Sequence, residues 1–240
     1  MNVVSKTEKK KNIYLFIIIP LLLNLLLIGS YFSGIESLQN IISPNNEFLT
    51  RESGLLEQLQ NILLLSSLIF FLRALVRQPR IEEKLFFLAL SIIFTFLFLE
   101  EIDYGISFYE FLTNSNFNGS ARNWHNQESY GDGQNVKYLK RSIDFANFLW
   151  FIVLALAAVK IKVPAIKCLI PNRFFIIAFI FTLFYSSIAH SLDDLGFSNI
   201  NGASGSLTSN ISEFREFNNY YLYLLYAIQI IKTKLTLTMR

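Results

Sequence analysis

The stretch Phe98-Leu99-Glu100-Glu101-Ile102-Asp103-Tyr104-Gly105 ends an apolar run that begins at Leu85 and puts three carboxylates within four residues. The run is about as long as a helix must be to cross roughly 30 Å of hydrocarbon. An ionised side chain near hydrocarbon costs on the order of 2–4 kcal/mol, so it is usually paired, bound to a metal or turned to water. The stretch therefore predicts a membrane-spanning helix that ends in a functional site.

The composition of the whole chain is that of a membrane protein. Of its 240 residues, 52% are hydrophobic and only 16% are charged, and 24 are phenylalanine. These values are unlike those of a soluble domain. Together with the first run, five further apolar runs predict an all-α, polytopic bundle of six transmembrane helices in one domain, residues 1–240. The predicted spans are residues 13–29, 55–76, 85–104, 145–159, 174–191 and about 212–231.

The basic residues predict the orientation of this bundle. They concentrate at the N-terminus, at the C-terminus and in two short links, residues 73–84 and 160–173. Because basic loops stay on the cytoplasmic side, both termini are expected to be cytoplasmic in a bacterial inner membrane. The basic residues thus mark topology and not a patch for nucleic acid. Three long connections, at about residues 30–54, 105–143 and 192–211, are expected on the exoplasmic side.

Five ionisable residues on five predicted spans lie at one depth. Each stands 16 or 17 residues from the basic residue at the other end of its own span. At about 1.5 Å per residue this distance is roughly 24–26 Å, which is near the outer edge of the hydrocarbon. The five are Glu57, Glu100, Asp144, His190 and Glu216. Polar groups face the interior of a membrane bundle, so these side chains are predicted to converge.

Spacing within the spans points to a metal site. His190 and Asp194 lie one helical turn apart, so both side chains can reach one ion. Glu100 or Glu216 could complete the shell, and zinc is the first choice of divalent metal. Calcium is the second choice, because carboxylates outnumber histidines and calcium prefers six to eight oxygens. A hydrogen-bonded structural pair of His190 and Asp194 is the competing interpretation.

The catalytic candidates lie beside this metal set. Glu101 or Glu57 would be the general base for a metal-bound water, whose pKa falls near neutrality. His125, in Asn123-Trp124-His125-Asn126, could fold back as a ligand or base, or be a plain surface histidine. Adjacent Glu100 and Glu101 point about 100° apart on a helix, so one is expected inward and one toward a neighbouring helix or loop.

The chain resembles a poorly characterised family of bacterial multi-pass membrane proteins. The resemblance rests on Glu100-Glu101-Ile102-Asp103-Tyr104-Gly105, on the following Asn-x-His-Asn at residues 123–126, and on Glu52-x-Gly54-x-x-Glu57-x-x-Gln60 before it. In that family the span ends in Glu-Glu-Ile-[Asp/Ser]-[Tyr/Trp]-Gly. The resemblance covers the second and third spans and the loop after them, and it implies a polytopic bacterial membrane protein.

Two other families are similar in part. Membrane CAAX-type proteases carry Glu-Glu-x-x-x-Arg and later histidines, but Gly105 stands here in place of the arginine. Alkaline-ceramidase-like hydrolases hold zinc with histidines and an aspartate inside a helical bundle, but they have seven spans and a His-x-x-x-His. Both similarities imply an intramembrane, metal-assisted hydrolase.

The sequence therefore favours a metal-dependent hydrolase or transferase acting on a lipid, a peptide or another membrane-proximal substrate. Its ion would be held by His190, Asp194 and Glu100. The rival interpretation is a non-catalytic complex subunit, or a binding or transport protein. In it the buried acids would form structural ion pairs with arginines from helices or loops, the candidates being Arg51, Arg122 and Arg215. Membrane lipid is the one partner that both interpretations require.

Overall fold

Long apolar segments become helices in hydrocarbon because only a helix or a closed barrel satisfies its own backbone hydrogen bonds there. The structure is a computed structural model that describes residues 6–44, 54–113, 134–157, 169–199, 207 and 211–238. These residues are 85% helical and include no strand. The prediction of an all-α fold is confirmed.

The helices are named in chain order. Two of them, α1 (residues 6–31) and α6 (residues 134–157), contain a wider π-helical turn. The bounds are α1, Lys6–Ile13, π-turn Tyr14–Ile18 and Ile19–Tyr31; α2, Glu36–Ile42; α3, Leu55–Arg77; α4, Ile81–Glu101; α5, Ile106–Thr113; α6, Gln134–Phe148, π-turn Leu149–Leu154 and Ala155–Ala157; α7, Phe174–Asp194; and α8, Glu213–Thr238. Each predicted span lies within or overlaps one long helix.

The π-turn in α1 has a local cause in Pro20. Proline has no N–H to donate to the carbonyl one turn earlier, and its ring collides with that carbonyl. The backbone widens over Tyr14–Ile18, directly before the proline. One turn later Asn24 Nδ2 donates to Pro20 O at 2.8 Å. A kink that would expose backbone groups is thereby accommodated within one continuous helix.

Contacts along α1 and α4 set their direction relative to α8. Tyr221 donates to Leu15 O, and Asn218 pairs with Asn24, so residue numbers fall along α8 as they rise along α1. Helix α4 shows the same order. Phe94 contacts Tyr223, and Glu101, later in α4, contacts Tyr220, which is earlier in α8. Both helices are antiparallel to α8. The contacts of α7 make it antiparallel too, whereas α3 and α6 run parallel to α8.

The six long helices therefore alternate in direction, and the bundle has two different ends. We call the end where α3, α6 and α8 begin the polar end. It carries Glu57, Glu101, Asp144, His190 and Glu216. We call the opposite end the basic end. It carries Lys11, Arg77, Lys84, Arg173 and Lys232. Both described chain ends, at residues 6 and 238, belong to helices that start or finish at the basic end.

Helix α8 lies at the centre of the bundle. It packs closely on α3 and α7 and contacts α1, and nearly every side chain from 213 to 230 is buried or half-buried. Near the basic end it meets a cluster of rings from α6 and α7, where Phe151 stacks on Phe175 at 5.2 Å and both rings approach Tyr226 edge-on. Offset and edge-to-face aromatic packing thus fills the lower core.

Among the described residues, three helices are long and apolar enough to cross a membrane. They are Glu8–Tyr31, Leu55–Arg77 and Phe174–Asp194. Helix α4 has comparable length but carries Glu82, Glu83 and Lys84 in its first turn and two glutamates in its last. Helix α8 is rich in Tyr, Asn and Glu. The structure is therefore consistent with a membrane protein, and its three apolar helices are the part of the predicted topology that it bears out.

The connections at the polar end contain more helix than the sequence predicted. Helix α2 lies within the predicted connection at residues 30–54, and α5 and the first part of α6 lie within 105–143. Gly54 ends the first connection with no room for a side chain, because a Cβ there would lie 2.4 Å from Ile42 O. This close approach explains the glycine in the Glu52-x-Gly54-x-x-Glu57 stretch.

Candidate functional site

The two glutamates that end α4 point to different places. Glu100 is buried, 5% exposed, and accepts a hydrogen bond from Tyr104 in the turn that follows. Glu101 accepts a hydrogen bond from Tyr220 of α8 at 2.5 Å. Neighbouring residues on a helix are separated by about 100°, which is why one carboxylate serves its own turn and the other a second helix.

Tyr104 holds a backbone conformation that few residues adopt. Its φ is +53° and that of Gly105 is +88°, so two successive residues lie in the left-handed region. Glycine accepts this conformation readily, but a tyrosine there is strained. From this turn the phenol of Tyr104 donates its hydrogen bond to Glu100. The turn at Asp103-Tyr104-Gly105 thus brings the phenol of Tyr104 back to the carboxylate of Glu100.

Helix α3 supplies amide and carboxylate groups to the start of α8. Glu57 is 4% exposed and Gln60 is fully buried. Gln60 Nε2 donates to Glu213 O at 3.0 Å and to Glu213 Oε2 at 3.2 Å. Gln60 Oε1 and Asn61 Oδ1 are buried and accept no hydrogen bond from any described residue. Two acceptor oxygens on this face of α3 are therefore available to a further donor.

Helix α6 meets α8 through two polar contacts, one turn apart on α6. Arg215 Nη1 lies 3.1 Å from Asp144 Oδ2. Farther into the bundle, Tyr223 donates to Asn147 Oδ1 at 2.8 Å. Asp144 therefore pairs with an arginine of another helix. This contact is of the kind that the non-catalytic interpretation predicts.

These contacts occupy one side of α8. On α8, positions 213, 216, 220 and 223 are three or four residues apart and form one row. Positions 215, 219 and 223 form a second row, which meets the first at 223. The two rows together make one broad face of the helix. That face receives α3, α4 and α6 in turn. The polar end thus contains carboxylate, amide and phenol groups around the first three turns of α8. We call this set of groups the polar layer.

The predicted metal ligands are not gathered in this layer. His190 and Asp194, on the last turns of α7, are both exposed, whereas Glu100 is buried beside Tyr104. Within the described ranges, no three His, Cys, Asp or Glu side chains lie close enough together to hold a metal ion. The set of His190, Asp194, Glu100 and Glu216 is therefore not assembled in the part of the chain that the structure describes.

Of the three catalytic candidates, two belong to the polar layer. Glu57 is buried on α3, and Glu101 bonds α8. His125 lies outside the described residues, so its proposed return to the site as ligand or base stays a prediction, as does the zinc or calcium ion that it would complete.

Four members of the layer were not predicted from the sequence. They are Asn147, Asn219, Tyr220 and Tyr223. A signal for two of them was present, because Arg215, Asn219 and Tyr223 stand at i, i+4 and i+8 on one helix. An asparagine between an arginine and a tyrosine at that spacing, inside a predicted span, marks a polar stripe. A further polar residue inside a predicted span, Asn24, pairs with Asn218.

Comparisons with protein-family models, with curated proteins and with solved structures find no match to this chain.

Proposed function

We propose that this chain is a six-span membrane protein whose polar end faces the exoplasm and binds a cationic ligand. Three apolar helices and the alternating direction of six long helices support the topology. The collection of basic residues at the other end supports the orientation, since such residues stay in the cytoplasm. Both termini are then cytoplasmic, and the polar layer lies at the outer edge of the bilayer.

The observation that carries the ligand class is the pair of buried acceptor oxygens on α3. In the part of the chain that the structure describes, nothing donates a hydrogen bond to Gln60 Oε1 or Asn61 Oδ1, and both oxygens are buried. The two residues follow Glu57 by one turn of the helix, and Gln60 also contacts Glu213. A group that satisfies amide oxygens beside carboxylates must offer donors or positive charge. An ammonium group and a hard metal ion such as calcium both meet this requirement.

This proposal differs from the metal-dependent hydrolase that the sequence favoured. A zinc hydrolase needs nitrogen and carboxylate ligands around one open position. In the described residues the only histidine, His190, is exposed, and the groups without a partner on α3 are amide oxygens. The hydrolase or transferase acting on a lipid or membrane-proximal substrate stays a prediction. Binding by oxygen acceptors depends only on residues already close together.

Titration of the purified protein in detergent tests the proposal. Calcium chloride, zinc chloride and methylammonium chloride are added separately, and binding is followed by calorimetry. We expect calcium or methylammonium to bind, and Glu213→Gln to weaken that binding about tenfold, because the variant keeps the shape of the side chain and removes its charge.

The matched control is Glu36→Gln, an exposed glutamate of α2 at the same end of the bundle. It should change affinity less than about twofold, since an exposed charge is screened by solvent. Equal losses in both variants would indicate a diffuse surface effect and contradict the site. Failure of all three cations to bind the wild-type protein at millimolar concentration would reject the proposal. Zinc binding abolished by His190→Ala would favour the hydrolase.

A further inference from the structure

The contact between α6 and α8 consists of two polar pairs with one further polar side chain between them. We call the contact the ladder and each pair a rung. Asp144 and Arg215 form the outer rung, and Asn147 and Tyr223 form the inner one. On α8 the rungs are eight residues apart, and Asn219 stands midway, about one helical turn or 6 Å from each. Asn219 is therefore on the face of α8 that looks toward α6.

Three polar atoms of this ladder are buried and make no hydrogen bond to the residues that the structure describes. They are Asn147 Nδ2, Arg215 Nε and Asn219 Oδ1. Asn219 is 5% exposed. A buried polar group left without a partner destabilises a fold by about 1–3 kcal/mol, and natural proteins contain few of them. Three in one helix–helix contact indicate a group that lies between the helices.

The chemistry of the three atoms selects the group. Two of them donate hydrogen bonds, which disfavours a cation. The third accepts, and Asp144 and Glu216 lie on neighbouring positions, which disfavours an anion. A neutral group that accepts two hydrogen bonds and donates one satisfies all three atoms. A hydroxyl oxygen is the smallest group with this capacity.

We propose that Asn147, Arg215 and Asn219 form a subsite for one hydroxyl oxygen. The subsite is separate from the acceptor oxygens of α3 and does not depend on the binding of a cation. Its outer rung is accessible, with side-chain exposures of 26% for Arg215 and 38% for Asp144. Asp144 also precedes the predicted fourth span, so the subsite lies at the depth of lipid headgroups. Its hydroxyl comes either from water or from a headgroup.

The test compares two adjacent asparagines of α8. Asn219→Leu removes the acceptor of the hydroxyl's own hydrogen bond and puts an apolar side chain in its place. The hydroxyl is then lost and its two buried donors are left unsatisfied, so we expect the melting temperature of the detergent-solubilised protein to fall by about 2–5 °C. If no hydroxyl is bound, the same change removes an unsatisfied polar group. The melting temperature then stays the same or rises, and the proposal is wrong.

Asn218→Leu is the matched control. Asn218 is equally buried, but its amide pairs with Asn24, so its replacement should lower the melting temperature whether or not a hydroxyl is bound. If Asn219→Leu does not fold, Asn219→Ser and Asn219→Ala make the comparison at smaller size. The serine variant keeps an acceptor oxygen and should melt at least about 2 °C higher; equal values would overturn the proposal.

Lipid composition identifies the source of the hydroxyl. Asn219→Leu and the wild type are compared in micelles containing phosphatidylglycerol or phosphatidylmethanol, which carry the same charge but differ in headgroup hydroxyls. A loss of stability in both lipids identifies water, which is often bound at buried polar sites. A loss confined to phosphatidylglycerol identifies the headgroup. No loss in either lipid rejects the subsite.

Discussion

Helices α1 and α8 lie side by side and run in opposite directions, but they differ in composition and in how far their side chains are exposed. Helix α1 is a run of leucine and isoleucine whose side chains are largely exposed, Leu25 for example to 62%. Helix α8 contains glutamates, asparagines and tyrosines, and nearly all of them are buried. In water the apolar helix would be the buried one. In a bilayer the apolar surface faces lipid, so the polar helix takes the centre.

The two helices also differ in what joins them to the bundle. Helix α8 contacts its neighbours through rings and hydrogen bonds on every side, whereas α1 touches it at a few points. One of these is a reciprocal amide pair, in which Asn24 and Asn218 each donate to the other at 2.8 Å. The comparison teaches that, between these two helices, the more hydrophobic one is the more exposed, and that specific contacts are concentrated on the polar helix.

The largest expected effect is all-or-none and concerns topology. After Cys168→Ser, single cysteines are placed at Ser33, just beyond α1 at the polar end, and at Gln78, between α3 and α4 at the basic end. An impermeant thiol reagent added to intact cells should label the first and not the second. Labelling at Gln78 alone would invert the bundle and remove the exoplasmic site.

The second effect compares matched truncations on the two helices. Phe217→Ala in α8 removes a ring that is 1% exposed, and the cavity should lower stability by about 3–5 kcal/mol. Leu25→Ala in α1 removes an exposed side chain and should cost less than about 0.5 kcal/mol in detergent. Thermal unfolding of both variants measures the difference. Similar losses would mean that Leu25 is buried against a partner.

The third effect concerns the amide pair between the helices. Asn24→Leu and Asn218→Leu should each cost about 1–3 kcal/mol, because each leaves a buried amide without its partner. In the double variant both amides are gone, so the loss should be smaller than the sum of the single losses. A double-mutant cycle from unfolding curves measures this coupling. Additive losses would show that the two amides act independently.

The smallest effect lies at the basic end, where the two helices bring like charges together. A hydrogen bond with Lys11, partial burial and the charge of Lys11 lower the pKa of Lys232 from its ordinary value of 10.5. The folded state then holds this proton less tightly than the unfolded chain does. The contribution of Lys232 to stability is therefore most favourable above pH 10.5 and is lost as the pH drops from there through the lowered pKa.

At neutral pH both lysines are charged and repel. Lys232→Met should raise the melting temperature slightly, by less than about 1 °C, and the gain should shrink as salt is added, because exposed charges are screened. A thermal scan at low and high ionic strength measures it. A lower melting temperature at both salt concentrations would mean that the aliphatic stem and charge of Lys232 stabilise the end of α8.

Much of the fold could be predicted from hydrophobicity and charge. Each of the six apolar runs corresponds to one long helix, and the spacing from basic anchors placed Glu57, Asp144 and Glu216 at the same end of the bundle. These predictions succeed because helix length and membrane thickness are fixed by geometry. The bounds of the helices were predicted less accurately, because α6 begins at Gln134, well before the predicted span at residue 145.

The site was harder to predict because it depends on which way each helix is rotated. The pattern His190-x-x-x-Asp194 suggested a metal pair, but both side chains are exposed on α7. The pattern Arg215-x-x-x-Asn219-x-x-x-Tyr223 was overlooked, yet that face of α8 meets α6. Spacing specifies which residues share a face. It does not specify what that face contacts.

The sequence by itself determined that the chain is helical, that it is suited to a membrane, and that its polar groups collect at one end while its basic groups collect at the other. Only the tertiary structure decided that α8 is the central helix, that Glu101 bonds Tyr220, that Asp144 pairs with Arg215, and that Asn219 lies between two rungs. The physical reason is that the first set follows from residue type and chain length. The second follows from packing between segments far apart in sequence, where one helix rotation or one neighbour changes every partner.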